Sequence, residues 1–373
     1  MPFTSGRFSP GPTVTPEDHD MPLGRRPIRI VNTVAPIRIC DNGGWTDTWF
    51  AGHGKVFNIA VYPWAEVQMQ VYEHTGSRKR ITLNAENYGE RYTLAEPEGQ
   101  YGKHPLLEAA LDFMNIPRDV AIEVSIYSEA PGGCSTGTSA AVSVALIGAL
   151  DALTPGRMTP HEAALAAHRI ETELLGLQSG IQDQLASAFG GINYIEMDAY
   201  PDARVTPVRI PDPLWWELES RLSLIFLGES HSSSKVHEMV IRELQEAGPD
   251  AAKLVPLRGT AEKSRDALLA GDLEALGRAM IENTEAQAAL HPALVGTAHR
   301  KVIDIARAHG AVGWKVNGAG GDGGSVTILS GPDRARKREM IRDVAESDAK
   351  FRNIPIYLSR FGLRVWESPR TGP

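Results

Sequence analysis

A run of small residues at positions 130–141, Ala-Pro-Gly-Gly-Cys-Ser-Thr-Gly-Thr-Ser-Ala-Ala, has the composition of an anion-binding loop. Gly133 and Gly137 permit backbone dihedrals that are closed to other residues, and an apolar helical pattern begins directly behind them. Thr138 and Ser139 would place hydroxyl and N–H groups in the first turn of that helix, where negative charge is favoured. The sequence therefore predicts a phosphate-binding loop at the start of a helix.

A second segment, residues 35–48, combines a glycine pair with Arg38, Asp41, Trp45 and Asp47. A carboxylate beside a tryptophan suits a polyhydroxylated ligand, because the carboxylate accepts hydrogen bonds from hydroxyls and the ring covers an apolar sugar face. An Asp-capped turn with a core tryptophan would give the same pattern. The residues alone leave both interpretations open.

Two carboxylates further along the chain are candidates for chemistry. Asp183 lies between two glutamines in the small and apolar segment 180–191, where a carboxylate is unfavourable unless it is hydrogen-bonded or used. Asp183 could instead be the N-cap of a helix over 184–189. Glu171 could face the same cleft and bind a metal ion, or it could face solvent.

A late glycine-rich loop, residues 317–324, matches the dinucleotide pattern GxGxxG with Gly318, Gly320 and Gly323. A dinucleotide site needs a helix directly after these glycines, but residues 325–329 have the alternation of a strand. The sequence therefore argues against a nicotinamide site. Taken alone, the loop is also explained by a tight hairpin.

The elements that must position these loops are strands in the first half and helices in much of the second. Runs rich in Val, Ile and aromatic residues predict strands at 28–39, 56–72, 121–127, 192–197, 222–227, 312–316 and 325–329. The spacing of Thr159 and Glu162 predicts a capping box and a helix over 160–175, with Gly176 as its stop. Residues 234–309 are mostly helical in pattern, and a charged helix is predicted over 333–347.

This order predicts an α+β protein in two lobes, with a boundary near residue 200. The proline-rich residues 1–27 are predicted to be a flexible arm, 28–200 an N-terminal domain with the first two loops, and 201–373 a C-terminal domain with the late glycine loop.

Composition limits the partners. The 373-residue chain has a net charge of −8, which argues against nucleic acid or an anionic membrane, and it has no stretch apolar enough for a membrane span or signal peptide. Its two cysteines, Cys40 and Cys134, are too few for a disulfide framework and fit a reducing compartment. We therefore expect a cytoplasmic protein with a small-molecule ligand, and leave a homodimer as an open alternative.

Together, these runs resemble the GHMP kinase superfamily of small-molecule kinases. Residues 35–48 are similar to its first signature motif, 131–141 to its second and 318–324 to its third, in the same order along the chain. Residues 43–48, Gly-Gly-Trp-Thr-Asp-Thr, resemble the first motif of fucokinases and heptose 7-phosphate kinases, and residues 170–191 are most similar to the latter. The resemblance implies a ribosomal-protein-S5-like N-terminal domain, a ferredoxin-like C-terminal domain, and ATP and Mg²⁺ as cofactors.

The resemblance also implies roles for individual residues. Asp183 would be the catalytic residue that accepts the proton of the attacking hydroxyl or only orients it, and Arg38 would lie beside the transferring phosphoryl group. Ser139, or Thr138 beside it, and Glu171 would bind Mg²⁺. The nucleotide would be bound by Gly133, Cys134, Ser135, Thr136, Gly137, Thr138, Ser139, Gly318, Gly320 and Gly321. The acceptor would be bound by Gly44, Trp45, Thr46 and Asp47, and His231 and Lys235 are candidate cations for a phosphorylated sugar.

Departures from the family pattern concern both glycine loops. Cys134-Ser135-Thr136 stands where the family usually has a Gly-Leu pair, and Asp322 adds negative charge to the third loop. The resemblance implies a sugar 1-kinase acting on a sugar or sugar phosphate. A fucokinase-like enzyme, a cyclitol or amino-alcohol kinase, an ATP-using decarboxylase, and a catalytically silent nucleotide-binding protein are the alternatives. The third loop is expected to be mobile until it closes on ligands.

Overall fold

A computed structural model describes residues 26–74, 80–94, 99–228, 235–321 and 323–369 of the chain. Most of the predicted N-terminal arm and residues 231 and 322 therefore lie outside the described residues. The strands are β1 Arg29–Asn42, β2 Gly54–Glu73, β3 Ile81–Ala85, β4 Glu90–Leu94, β5 Val120–Ser128, β6 Ile192–Ala199, β7 Asp202–Pro207, β8 Leu222–Phe226, β9 Gly313–Val316, β10 Ser325–Leu329, β11 Arg352–Ile354, β12 Tyr357–Leu358 and β13 Arg364–Glu367.

The helices alternate with these strands and dominate the middle of the second half. They are α1 Pro105–Met114, α2 Thr138–Asp151, α3 Pro160–Arg169, α4 Gln182–Phe189, α5 Asp212–Arg221, α6 Lys235–Ala247, α7 Leu254–Leu269, α8 Leu273–Leu290, α9 Thr297–Ala308 and α10 Arg334–Ser347, with a π-helical turn at Ile170–Leu174 and 3₁₀ turns at Glu86–Tyr88 and Pro292–Leu294. Among the described helices, none is long and apolar enough to cross a bilayer.

The first sheet is built around the long strands β1 and β2. Its order is β13-β1-β2-β5-β3-β4, with β6 and β12 also pairing with β2, and β7 pairing with β6. All of these pairs are antiparallel except β3 with β5. The sheet thus continues past residue 200 into β7 and takes two strands from the far end of the chain.

The helix behind the predicted phosphate loop, α2, is buried on nearly all sides, as its apolar composition predicts. It packs against β1 and β2, and the Thr33 hydroxyl of β1 donates to the Ala145 carbonyl at 2.7 Å. Because α2 is fixed in the core of the first lobe, the loop before it has a rigid support.

The predicted capping box at the start of α3 is confirmed. The Glu162 N–H donates to the Thr159 hydroxyl at 3.2 Å, and the Thr159 N–H donates to the Glu162 carboxylate at 2.7 Å. The helix predicted over 160–175 is divided into α3 and the following π turn, and Gly176 ends it with a left-handed φ of 64°. A π turn inserts one extra residue into the helical repeat and so changes which side chain faces inward.

The second sheet has the order β11-β8-β10-β9, with every pair antiparallel. β9 and β10 flank the third glycine loop and form a hairpin, as the strand pattern after the glycines predicts. Helix α8 packs on β9, and α7 packs on α8 and on β2 of the first sheet. These two helices therefore connect the third glycine loop to the first lobe.

Candidate active site

The centre of the site is an ion pair between Arg38 of β1 and Asp183 in the first turn of α4. The Arg38 Nε and Nη2 atoms donate to the two Asp183 carboxylate oxygens at 2.8 and 3.1 Å. The Arg38 side chain is 4% exposed and that of Asp183 is 28% exposed, so the carboxylate remains accessible. The alternative of Asp183 as an N-cap is wrong, because the helix begins at Gln182 and the cap position is Ile181.

The predicted phosphate loop lies directly against this pair. The Arg38 N–H donates to the Thr136 carbonyl at 2.9 Å, and its guanidinium donates to the Ser135 carbonyl. Gly137, the N-cap of α2, has a φ of 71°, and a Cβ built there would lie 3.1 Å from the Asp183 carboxyl carbon. A left-handed conformation and this close approach both favour glycine.

The remaining loop residues differ in exposure. Thr138 and the exposed Ser139 occupy the first turn of α2, and the Thr136 and Thr138 hydroxyls are 3.4 Å apart. Ser135 adopts a left-handed φ of 58°, a conformation that is uncommon for a residue other than glycine. Gly133 precedes Cys134, a buried thiol whose pKa is raised by burial.

Asp47 is buried, and one of its oxygens accepts the Gln182 N–H at 3.0 Å. It therefore caps α4 from a distant loop and helps to position Asp183. Burial raises the pKa of Asp47 to about 6. Its predicted contact with acceptor hydroxyls stays a prediction.

The neighbours of Asp47 face the interior. The Thr46 hydroxyl donates to the Gly43 carbonyl at 2.7 Å and accepts the Lys55 N–H at 3.1 Å, so it closes its own loop. The Trp45 ring is buried, with its centroid 6.0 Å from that of His237, which fits the interpretation of a core tryptophan. Gly44 donates its N–H to the Asp41 carbonyl at 3.0 Å.

Glu171 lies in the π turn, and its side chain is buried rather than facing solvent, so that alternative is wrong. Its Oε2 accepts the Gln184 amide at 2.9 Å, whereas Oε1 makes no hydrogen bond of regular geometry with the described residues, and the nearby Ser179 hydroxyl partly opposes the effect of burial on the pKa. Burial raises the pKa of Glu171 to about 7. A buried carboxylate oxygen with a free lone pair fits a hard cation such as Mg²⁺.

The described residues contain no cluster of three or more His, Cys, Asp or Glu side chains that could hold a metal ion. An ion at Glu171 would therefore take its other ligands from neutral oxygens, such as the exposed Ser139 hydroxyl, and from phosphate and water.

The third glycine loop packs against the phosphate loop. A Cβ built at Gly318 would lie 3.0 Å from the Ser135 Cβ, so the two loops touch. The Gly318 carbonyl accepts the Gln287 amide, the Gly320 carbonyl accepts the His237 Nε2–H, and the Gly321 N–H donates to Leu294, each at 3.0 Å. The interpretation as a tight hairpin and the interpretation as a loop of the site both apply, because the segment forms a hairpin and also borders the site.

Sequence reasoning missed the buried polar residues that join the three loops. The Asn317 Oδ1 accepts the Cys40 N–H at 3.2 Å, and its amide donates to the Ser325 hydroxyl at 3.0 Å. Ser325 in turn donates to the Cys134 carbonyl at 2.6 Å. Lys315 is also buried, and a lone charge in the apolar run 312–316 was the available signal for it.

The two candidate cations for a phosphorylated substrate are not placed by the structure. His231 lies outside the described residues, and Lys235 is described only as the first residue of α6, without its side chain.

Comparisons with known proteins agree with this geometry. The GHMP kinases N terminal domain matches residues 105–191. A mevalonate kinase of Thermococcus gammatolerans is 30% identical over 332 residues, which cover 83% of this chain and 90% of the relative. A D-glycero-alpha-D-manno-heptose 7-phosphate kinase of Campylobacter jejuni is 27% identical over 255 residues, which cover 68% of this chain and 73% of the relative.

A solved structure shares the fold across almost the whole chain. The crystal structure of a D-glycero-D-manno-heptose 1-phosphate kinase from Bacteroides thetaiotaomicron has a TM-score of 0.69 at 23% identity, covering 90% of this chain and 98% of its own. The predicted α+β GHMP kinase fold is confirmed. The chain therefore belongs to the GHMP kinase superfamily, and it is an ATP-dependent phosphotransferase that acts on a hydroxyl group.

Proposed function

We propose that the protein transfers the γ-phosphate of ATP to the anomeric hydroxyl of a sugar phosphate, in the manner of a heptose 7-phosphate 1-kinase. The observation that carries the proposal is the Arg38–Asp183 pair at the wall of the phosphate loop. It puts a carboxylate that can accept a proton beside a loop suited to bind the transferring group.

Phosphoryl transfer depends mainly on positioning and charge neutralisation. The N–H groups of residues 133–139 and the N-terminus of α2 would bind the triphosphate. Arg38 is buried and its pKa is raised by the opposing carboxylates against the effect of burial, so it stays charged beside the phosphates. Fixed charge in such a site stabilises the transition state without reorganisation.

Asp183 would orient the acceptor hydroxyl and accept its proton. An anomeric hydroxyl is more acidic than an ordinary alcohol, which favours transfer of its proton to a carboxylate. The bidentate bond from Arg38 fixes the plane of the carboxylate, and the remaining exposed part of Asp183 would face the acceptor.

Mg²⁺ would be held by Glu171 and Ser139, and when bound it neutralises charge on the phosphates. The buried Glu171 carboxylate would supply negative charge to the ion. The Gln184 amide fixes the other oxygen and so orients the group.

The acceptor class is supported by the resemblance of residues 43–48 and 170–191 to heptose 7-phosphate kinases and by the Campylobacter jejuni relative. A second candidate is an alcohol acceptor of the mevalonate type, since the Thermococcus gammatolerans mevalonate kinase matches a larger share of the chain. The two candidates share the nucleotide site and differ only in the acceptor.

A panel assay separates these candidates. ADP release would be measured with free sugars, sugar phosphates including a heptose 7-phosphate, cyclitols and mevalonate, and ³¹P NMR of the product would locate the new ester. We expect turnover with a sugar phosphate and an anomeric phosphate in the product. A new ester on a non-anomeric carbon, or preference for mevalonate, would refute the 1-kinase assignment.

A further inference from the structure

Two buried ions are not used by the mechanism above. Asp41, near the end of β1, and Lys315 of β9 are each 1% exposed, and the Lys315 Nζ lies 3.2 Å from the Asp41 Oδ1. Lys315 also donates to the Gln287 Oε1 at 3.2 Å. A buried ion pair is stable only when further hydrogen bonds compensate for the lost hydration. These contacts supply part of that compensation.

The second oxygen of Asp41 connects two parts of the site. Its Oδ2 accepts the Gly318 N–H at 3.0 Å and lies 4.0 Å from the Arg38 Nη2. One carboxylate thus touches both the third glycine loop and the arginine that holds Asp183. The four charges alternate in sign along the series Lys315, Asp41, Arg38 and Asp183.

The order of these contacts makes the loop and the catalytic pair interdependent. Burial lowers the pKa of Lys315 and the negative charge of Asp41 opposes this shift, so the ammonium depends on its partner. Gln287 bonds both Lys315 and the Gly318 carbonyl, which closes a ring of contacts around Gly318. Moving the loop would break hydrogen bonds to buried groups, and such groups are costly to leave unpaired.

We propose that Asp41 is a positioning residue, through which the third glycine loop and the Arg38–Asp183 pair hold each other in their working arrangement. The inference rests on the proposed function, because it assigns both parts to one reaction. It also revises the expectation of a mobile loop, since the loop would be ordered before nucleotide binds.

The test uses a charge-neutral double variant, Asp41→Leu with Lys315→Met, in the full-length protein. Replacing a buried ion pair by apolar residues of similar size leaves stability nearly unchanged in many proteins. We expect the double variant to fold, with a melting temperature lowered only by the loss of the Gly318 hydrogen bond. Hydrogen exchange at residues 317–325, measured without nucleotide, should become at least about tenfold faster, and kcat should fall at least about tenfold.

A single variant, Asp41→Asn, keeps the proposal testable if the double variant does not fold. Asparagine retains an oxygen for the Gly318 N–H and the Lys315 side chain, but it lacks the charge beside Arg38 and Lys315. Lys315 would then lose its proton, because burial already lowers its pKa. We expect loop exchange within about threefold of the wild type and a kcat lower by about tenfold. Glu262→Gln is the matched control, because it removes an exposed ion pair with Lys55 between β2 and α7. It should change neither readout.

Two outcomes would overturn the proposal. One is a folded double variant whose loop exchanges at the wild-type rate, which would make the ion pair purely structural. The other is an Asp41→Asn variant with wild-type kcat. Hydrogen exchange needs no acceptor, so a failure to find any phosphorylated product would count against the proposed function and leave the loop measurement intact.

Discussion

At the scale of single residues, the pairing of Asp183 with Arg38 predicts the effect of removing one proton acceptor. Asp183→Asn retains an oxygen for the Arg38 guanidinium but cannot take up the proton of the substrate hydroxyl. We expect nucleotide affinity close to that of the wild type and a kcat at least about a hundredfold lower. Asp212→Asn, in an exposed pair with Arg360, is the control. Near-normal turnover of Asp183→Asn, measured by ADP release, would remove the base from the mechanism.

Glu171 predicts a pH-dependent requirement for Mg²⁺. Because burial raises its pKa to about 7, the carboxyl is increasingly protonated below that pH, and a metal ion must displace the proton. The Mg²⁺ concentration for half-maximal activity should therefore rise as the pH falls from 8 to 6, by up to about tenfold per unit. Raising the pH should lower this Mg²⁺ concentration towards a plateau.

Variants of Glu171 separate this effect from general acid sensitivity. Glu171→Gln should raise the Mg²⁺ requirement and make it nearly independent of pH between 6 and 8. Glu173→Gln, in the same turn but in an exposed pair with Arg169, should behave like the wild type. An unchanged metal requirement in Glu171→Gln would show that the metal binds elsewhere.

At the scale of elements, the junction between the phosphate loop and α2 favours glycine for two separate reasons. Gly137→Ala introduces a left-handed alanine, which costs about 1–2 kcal/mol, and places a methyl group 3.1 Å from the Asp183 carboxyl carbon. We expect reduced stability in chemical denaturation and a kcat/KM lower by at least about a hundredfold, because small displacements at a reacting centre have large effects.

A second glycine isolates the effect of the contact. Gly89 also has a left-handed φ, 64°, and a Cβ built there meets nothing within 4 Å. Gly89→Ala should therefore lose a similar free energy of unfolding and retain full activity. If both variants kept full activity, the loop would not depend on close contact with Asp183.

Elements with local signals were predictable from the sequence. The alternation in β1 and β2, the apolar α2 and the capping box of α3 depend on neighbours in the chain, and the structure has each of them. The π turn was not predictable, because its signal is one extra residue in an otherwise helical run. That extra residue lies in the turn that carries the buried Glu171 side chain.

At the scale of the whole molecule, the contacts that sequence reasoning missed join distant segments. Arg38 and Asp183 were identified through motifs, but the ion pair of Asp41 with Lys315 joins the first motif to the strand before the third and has no local pattern. The pairing of β12 and β13 with the first sheet was missed for the same reason, since strand pairing between distant segments depends on the finished fold. The division near residue 200 was predicted only from the order of the elements along the chain.

The C-terminal strands predict that the first lobe depends on the end of the chain. β13 pairs with β1, β12 pairs with β2, and the Leu363 N–H donates to the Ala188 carbonyl at 3.1 Å. Ending the chain at Ile356 removes these bonds and two packed leucines, so the melting temperature should fall by about 10 °C or more. A chain ending at Pro369 keeps both strands and should melt like the full-length protein. Equal melting temperatures of the two truncated chains would mean that the first lobe is stable without β12 and β13.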